Sequence, residues 1–307
     1  MKGTDLELMF DSGAYTAWKK GITIDLEDYV KFILRTADAW TTVFNLDVIP
    51  GKPGEVPTPA EAERAAEIGW DNYCELKKAL APHGITPIHV FHRGDNFKWL
   101  KRLVDECEFF GLAPKTDGST AVRMNWLDRC MPYVTDDNGW PTHKLHGFGI
   151  GVPELIYRYP WYSVDSASWI YASAPRSDSG MNGGCLIPGY GCVEFCAQPP
   201  KGKRHFDNMS RLDREVVARY LADHGISDLR MLRDDYCLTC GTEFGWTRCC
   251  SEQQSNHALY RRDEINIDYY LDIEAKAEMR PWKKDSLVWS LSADMQKEEE
   301  RGGCRME

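Results

Sequence analysis

Four short apolar runs in this chain each end on a polar residue able to do chemistry. Leu8-Met9-Phe10 runs into Asp11, and Val43-Phe44-Asn45-Leu46 into Asp47. Ile88-His89-Val90-Phe91 runs into His92, and Trp161-Tyr162-Ser163-Val164 into Asp165. Stretches with helical spacing lie between most of them. Leu26, Tyr29, Val30, Ile33 and Leu34 share one face of a helix expected over Leu26–Ala39. Thr58, Pro59 and Glu61 form a capping box with proline at the first helical position. That helix should run toward Leu80 and stop at Pro82-His83-Gly84. Further strands are expected at Pro87–Phe91, Gly111–Ala113 and Leu145–Ile150. Further helices are expected over Asn96–Phe110 and Ala121–Tyr133, and from Pro153 onward. Beyond Ser210 the pattern turns helical, at Ser210–Asp223 and near Ile265–Lys276.

Strands alternating with helices signal repeated βα units and a parallel sheet. The fold class expected is α/β, a TIM-like (β/α)8 barrel with a helical, cysteine-containing C-terminal appendage. Residues 1–200 would form the catalytic core. Residues 201–307 would form a helical C-terminal region that completes the barrel. Six strands are clear, Cys185-Leu186-Ile187-Pro188 is a candidate seventh, and an eighth has no clear position. In such barrels the catalytic groups sit on loops at the C-terminal ends of the strands. That layout would bring Asp11, Asp47 and Asp165 around one pocket although they lie far apart in sequence.

The 307 residues suffice for one barrel of about 250 residues plus an appendage. A net charge of -10 argues against a surface that attracts nucleic acid by bulk positive field, but leaves room for a local basic groove. Met1–Phe10 carries Lys2 and acids, unlike a signal peptide, and no apolar run approaches a membrane span. A cytoplasmic location is therefore expected, with no membrane partner. Eleven cysteines without a secretion signal suit free thiols and a metal site better than a disulfide framework.

The wording of the strand ends carries a resemblance. Asp11-Ser12-Gly13-Ala14-Tyr15 resembles the Asp-Ser-Gly-Gly-aromatic motif of the tRNA-guanine transglycosylases. In the same order follow Asn45-Leu46-Asp47, Val90-Phe91-His92-Arg93-Gly94, Gly111-Leu112, Gly147–Leu155 and Ser163-Val164-Asp165-Ser166. The likeness spans roughly Leu6–Trp169 and is nearest to shorter, often phage-encoded relatives that insert 7-deazaguanines into DNA. For a phage-encoded chain the location would be the host cytoplasm. By this resemblance Asp165 is the nucleophile and Asp11 the acid/base. Asp47 reads the guanine edge, Gly111 and Leu112 contact the base carbonyl, Gly149 lines the base site, and Ser12 supports the base or the Asp11 loop. His92 stands where the tRNA enzymes carry Gln, and Ala14 replaces the second glycine. The implied activity replaces guanine in DNA with a 7-deazaguanine such as preQ0, through a covalent Asp–deoxyribose intermediate. A flipped or single-stranded guanosine is the implied substrate, and a homo-oligomer is compatible with it. The alternatives are tRNA as substrate, a non-catalytic nucleic-acid-binding subunit, or a glycoside hydrolase using its paired carboxylates.

The family also carries a structural zinc after its nucleophile. Here Cys237, Cys240, Cys249 or Cys250, and His257 could supply three thiolates and one imidazole for a tetrahedral Zn2+ site. Their spacing differs from the family's Cys-x-Cys-x-x-Cys. Cys185, Cys192 and Cys196 form a competing group, while Cys74, Cys107 and Cys130 fit buried helical positions. His89 reads as a packed strand residue. His143 and His146 read as solvated residues ahead of the fifth strand. Tyr15, Trp18, Phe91, Phe148 and Trp169 are candidate stacking partners for a base. Lys201–His205, Arg261-Arg262 and Lys283-Lys284 are candidate backbone contacts.

Overall fold

The structure, a computed structural model, describes residues 8–37, 42–53, 55–115, 119–174, 183–196, 204–236 and 257–283. It is mixed α/β. The six expected strands are present as β1 (Met9–Phe10), β2 (Thr42–Val43), β3 (His89–His92), β4 (Phe109–Ala113), β5 (Lys144–Gly147) and β6 (Ser163–Val164). Neighbours in sequence pair in parallel, with Phe10 opposite Val43, Val90 opposite Gly111, Gly111 opposite His146 and His146 opposite Ser163. A parallel bridge between Phe44 and Ile88 joins β2 to β3.

Helices follow the strands as the periodicity required. These are α1 (Ala14–Lys19), α2 (Leu26–Arg35), α3 (Pro59–Leu80), α4 (Phe97–Glu106), α5 (Thr120–Val134) and α6 (Pro153–Arg158). Their starts are written in side chains. Asp25 accepts from Asp28 N, Asn96 from Lys98 N and Ser119 from Val122 N, while Thr58 and Glu61 complete the capping box of α3. One expectation is corrected here. The helix expected over Asn96–Phe110 stops at Glu106, and Phe109-Phe110 open β4.

Side chains alternate across the strands as a period of two demands. Phe10 and Val43 pack outward under α2 and α3. Phe91, Phe110, Leu112 and Leu145 pack against α3, α4 and α5. The opposite face gathers Met9, Phe44, Ile88, Val90, Phe109 and Phe148 into a core of its own. That face is strongly concave. Phe44, beside β2, and His146, in β5, are three strand positions apart, about 14 Å in a flat sheet. Their ring centroids are 5.0 Å apart.

The chain divides into two compact units, Met1–Asp165 with Met279–Lys284, and Ser166–Glu278 with Asp285–Glu307. The division falls after Asp165, whereas the sequence suggested a boundary near residue 200. In the first unit Trp282 joins the outer core, and its amide donates to the Gly139 carbonyl at 2.8 Å. The second unit holds α7 (Ser168–Ser173), β7 (Gly184–Ile187), β8 (Gly191–Glu194), α8 (Arg211–Asp223) and α9 (His257–Lys276). The expected seventh strand exists as β7. It pairs antiparallel with β8 in a separate hairpin, so it does not extend the parallel sheet. Arg262 of α9 is fully buried, and binds the carbonyls of Ser173 and Leu232 and the Asp234 carboxylate. The solvated basic pair expected at Arg261-Arg262 is therefore corrected, since only Arg261 faces solvent, beside Glu264.

Candidate active site

Asp11 follows β1 directly, at the start of a tight turn. Gly13 holds that turn in the left-handed region, at φ 71°, where a side chain would be strained. The amides of Ser12 and Gly13 donate to the Asp11 carboxylate. Its pKa is nevertheless raised, first by removal from bulk water, then by the negative charges of Asp47 and Asp165. The charges of Asp47, after the β2 run, and of Asp165, after β6, thus both reach Asp11 at the end of β1.

Asp47 is largely buried and ends the run that follows β2. Its Oδ2 lies 3.0 Å from Nε2 of His92, the last residue of β3. Burial alone would lower the His92 pKa, but the charge and hydrogen bond of Asp47, with help from Asp95, raise it overall. Asp47 therefore favours the protonated form of His92. The backbone amide of His92 donates to Asp95 Oδ2 at 3.0 Å. Burial raises the Asp95 pKa, and the charge of Asp47 adds to that. Asp95 was not singled out from the sequence. Its only signal is its position in the Arg93-Gly94-Asp95 turn beyond the strand.

Behind this pair His89 is the packed strand residue expected. Its Nδ1 accepts from Asn45 Nδ2 at 3.0 Å, and the same Asn45 nitrogen donates to the Gly69 carbonyl at 2.9 Å. Burial lowers the His89 pKa to about 4. Asp47 Oδ1 at 3.9 Å therefore faces a neutral ring. His92, not His89, balances Asp47.

Asp165 follows β6, and its carboxylate is about half exposed. The Gly149 amide donates to its Oδ1 at 2.8 Å. Gly149 sits in the loop after β5 with φ 63°, the left-handed conformation that glycine adopts without strain. The Gly149 carbonyl in turn accepts from the buried guanidinium of Arg123, on the first turn of α5. Desolvation and the nearby Arg93 lower the Arg123 pKa. His146 lies inside β5 and is buried, which corrects its reading as a solvated residue. Its Nδ1 bonds Ser163 Oγ at 2.9 Å, and its Nε2 stands 3.5 Å from Asp165 Oδ1.

The remaining sequence candidates divide. Ser12 Oγ accepts from Ala14 N at 3.4 Å and supports the Asp11 turn. Gly111 and Leu112 are buried mid-strand. The Leu112 carbonyl takes the Phe148 amide at 3.0 Å, and the Phe148 ring lies against Gly111, so neither joins the exposed carboxylates. Tyr15 is exposed and stacks on Trp18, whose indole donates to the Gly51 carbonyl. Phe91 is core, stacked on Trp126. His143 Nε2 donates to the Val104 carbonyl at 3.0 Å, and its Nδ1 pairs with Thr142 Oγ1 at 2.8 Å. Cys107 and Cys130 are buried as expected, whereas Cys74 is exposed. Cys237, Cys240, Cys249 and Cys250 lie outside the described residues, as does the His257 side chain. Among the described residues no three His, Cys, Asp or Glu gather into a metal site, Cys185, Cys192 and Cys196 included. No described helix is long and apolar enough to cross a membrane.

No protein-family model matches the chain, and no curated protein matches it. A half-exposed carboxylate held by one oxygen is suited to nucleophilic attack. A second carboxyl with a raised pKa is suited to hold and return a proton. A third, charge-balanced and nearly buried, is suited to accept N–H donors from a planar ligand.

Proposed function

We propose that this chain exchanges guanine in DNA for a 7-deazaguanine base such as preQ0, through an ester between Asp165 and C1′ of deoxyribose. The observation that carries the reading is the electrostatic grouping of Asp11, Asp47 and Asp165, each just beyond a parallel strand end. The order of those residues also resembles the tRNA-guanine transglycosylases, on the motifs given above. The sheet supports the barrel implied by that likeness. Asp11 and Asp165 lie at its two outer strands, about 24 Å apart if the sheet were flat, yet the charge of one acts on the other.

In the first half-reaction an Asp165 oxygen bonds C1′ as the C1′–N9 bond breaks. The electron pair of that bond leaves with guanine, which takes up a proton from Asp11. In the second, the 7-deazaguanine gives its N9 proton to the Asp11 carboxylate while N9 bonds C1′. The pair of the C1′–O bond then returns to Asp165. Atoms and charge balance with no further reactant. Asp47 accepts hydrogen bonds from the guanine edge, and an adenine would leave this acceptor unpaired, a large discrimination for a buried polar contact. The target nucleotide leaves its stack to reach the site. A structural zinc on Cys237, Cys240, one of Cys249 and Cys250, and His257 belongs to the same proposal. Metal content of the purified protein, compared with Cys237→Ser, tests it separately.

The deciding experiment offers labelled guanine and labelled preQ0 to DNA and tRNA side by side. Label entering DNA, lost in Asp165→Ala, is the expected result. Label in tRNA alone transfers the activity to RNA, and label in neither removes the reading.

A further inference from the structure

We infer that His146 is a positioning residue for the Asp165 carboxylate, fixing one oxygen as a hydrogen-bond acceptor and leaving the other to attack. The inference rests on the transglycosylase reading above and extends it to a residue which the resemblance does not include. His146 is 2% exposed, so its ring has no role at the surface. It is boxed by Phe44, at 5.0 Å between centroids, and by Phe148, at 4.6 Å and nearly perpendicular. Its two nitrogens have different partners. Nδ1 meets Ser163 Oγ at 2.9 Å, from the residue directly opposite in β6. Nε2 is buried and makes no hydrogen bond, and Asp165 Oδ1 stands 3.5 Å away.

These contacts choose the tautomer. A bare nitrogen lone pair toward a carboxylate oxygen would be repulsive, so Nε2 carries the proton and Ser163 donates its hydroxyl to Nδ1. Among the described residues, Gly149 N donates to Asp165 Oδ1 at 2.8 Å, and His146 Nε2, at 3.5 Å, is aimed at the same oxygen. Oδ2 is then the oxygen that bonds C1′. Once the ester forms, Oδ1 becomes its carbonyl oxygen. When the C1′–Oδ2 bond breaks and its electron pair returns, negative charge reappears on the carboxylate, where Gly149 and His146 receive it. A contact lengthened to 3.5 Å in the free protein is of the kind that tightens as the transition state forms. Strand pairing holds all three residues, since His146 and Ser163 are register partners and the Asp165 amide donates to the Gly147 carbonyl at 3.2 Å.

The test separates a hydrogen bond from mere packing. His146→Gln keeps an N–H donor near the position of Nε2 but loses the aromatic ring. His146→Phe keeps the ring and loses both nitrogens. A positioning role predicts that the Phe variant loses about ten- to a hundredfold in kcat, the usual cost of one hydrogen bond to a charged group. KM for preQ0 should stay within about twofold, and the Gln variant should restore most of kcat. Ser163→Ala should fall in the same direction with the ring in place, and Ser163→Thr should recover. Capture of the covalent protein–DNA adduct, with the incoming base withheld, should show slower adduct formation in His146→Phe. If the Phe variant matches wild type while Gln is impaired, His146 is only packing and the inference fails. If wild type itself moves no label into DNA or tRNA, the transglycosylase reading fails first and takes this one with it. Circular dichroism of each variant, and the Ser163 pair, keep a folding defect from being read as either result.

Discussion

Asp47 and His92 meet at 3.0 Å from two strand ends 45 residues apart. The pair joins the Asp47 carboxylate to the end of β3. It also makes stability depend on pH. The His92 pKa is raised in the folded chain, so the pair's contribution is full below the ordinary histidine value of about 6.5. It is lost as pH rises through the higher folded value. His92→Gln should therefore cost about 1–3 kcal/mol at pH 6 and clearly less at pH 9, read by urea unfolding. His89 has the opposite sign. Its folded pKa of about 4 costs stability as pH falls from the ordinary value toward 4.

Asp11 is expected to exchange stability for function. Its folded pKa is raised by desolvation and by the charges of Asp47 and Asp165. A carboxyl raised in this way favours folding below its ordinary value, and that contribution disappears as pH rises through the folded value. Asp11→Asn should therefore be more stable than wild type at pH 7, by up to about 1 kcal/mol after allowance for its exposure. Base exchange should be lost in the same variant. A thermal melt and a labelling assay on one preparation check both.

Gly149 is expected to tolerate no side chain. At φ 63° an alanine costs about 1–2 kcal/mol, and relief of that strain would turn the amide away from Asp165 Oδ1. Gly149→Ala should lower kcat at least about tenfold with a smaller effect on folding, measured by single-turnover labelling and by urea unfolding.

Gly111 is expected to matter through packing. A Cβ there would come 2.5 Å from Phe148 Cε2 and 3.3 Å from Val90 Cγ2. The ring would have to move from its place beside His146. Gly111→Ala should cost about 1–3 kcal/mol, and Phe148→Leu in the same chain should recover part of it.

Much of the first unit was legible in the sequence because its strands and helices obey simple periods. The capping box at Thr58 marked the start of α3, and polar residues marked the strand ends. The end of α4 was not legible. Phe110 continues the helical spacing from Leu103, and no glycine or proline intervenes, so the turn into β4 is written only in tertiary packing. The first turns of α9 were hidden for a different reason. Its buried stripe includes Arg262 and Asn266, polar residues satisfied by backbone groups, and a search for apolar periodicity passes over them. His146 was misread because a lone histidine in a short strand carries no face of its own. Only alternation with Phe148 on the concave side reveals where it points.

Trp282 returns to the first unit from beyond the second in sequence. The residue that packs over Asp128 and Gly139 is translated after every described helix of the second unit. A ribosome that has delivered all the carboxylates has still not delivered that closing piece. A nascent chain stalled before Met279 would hold Asp11, Asp47 and Asp165 without Trp282 against Asp128 and Gly139, and truncation at Met279 would leave the same gap.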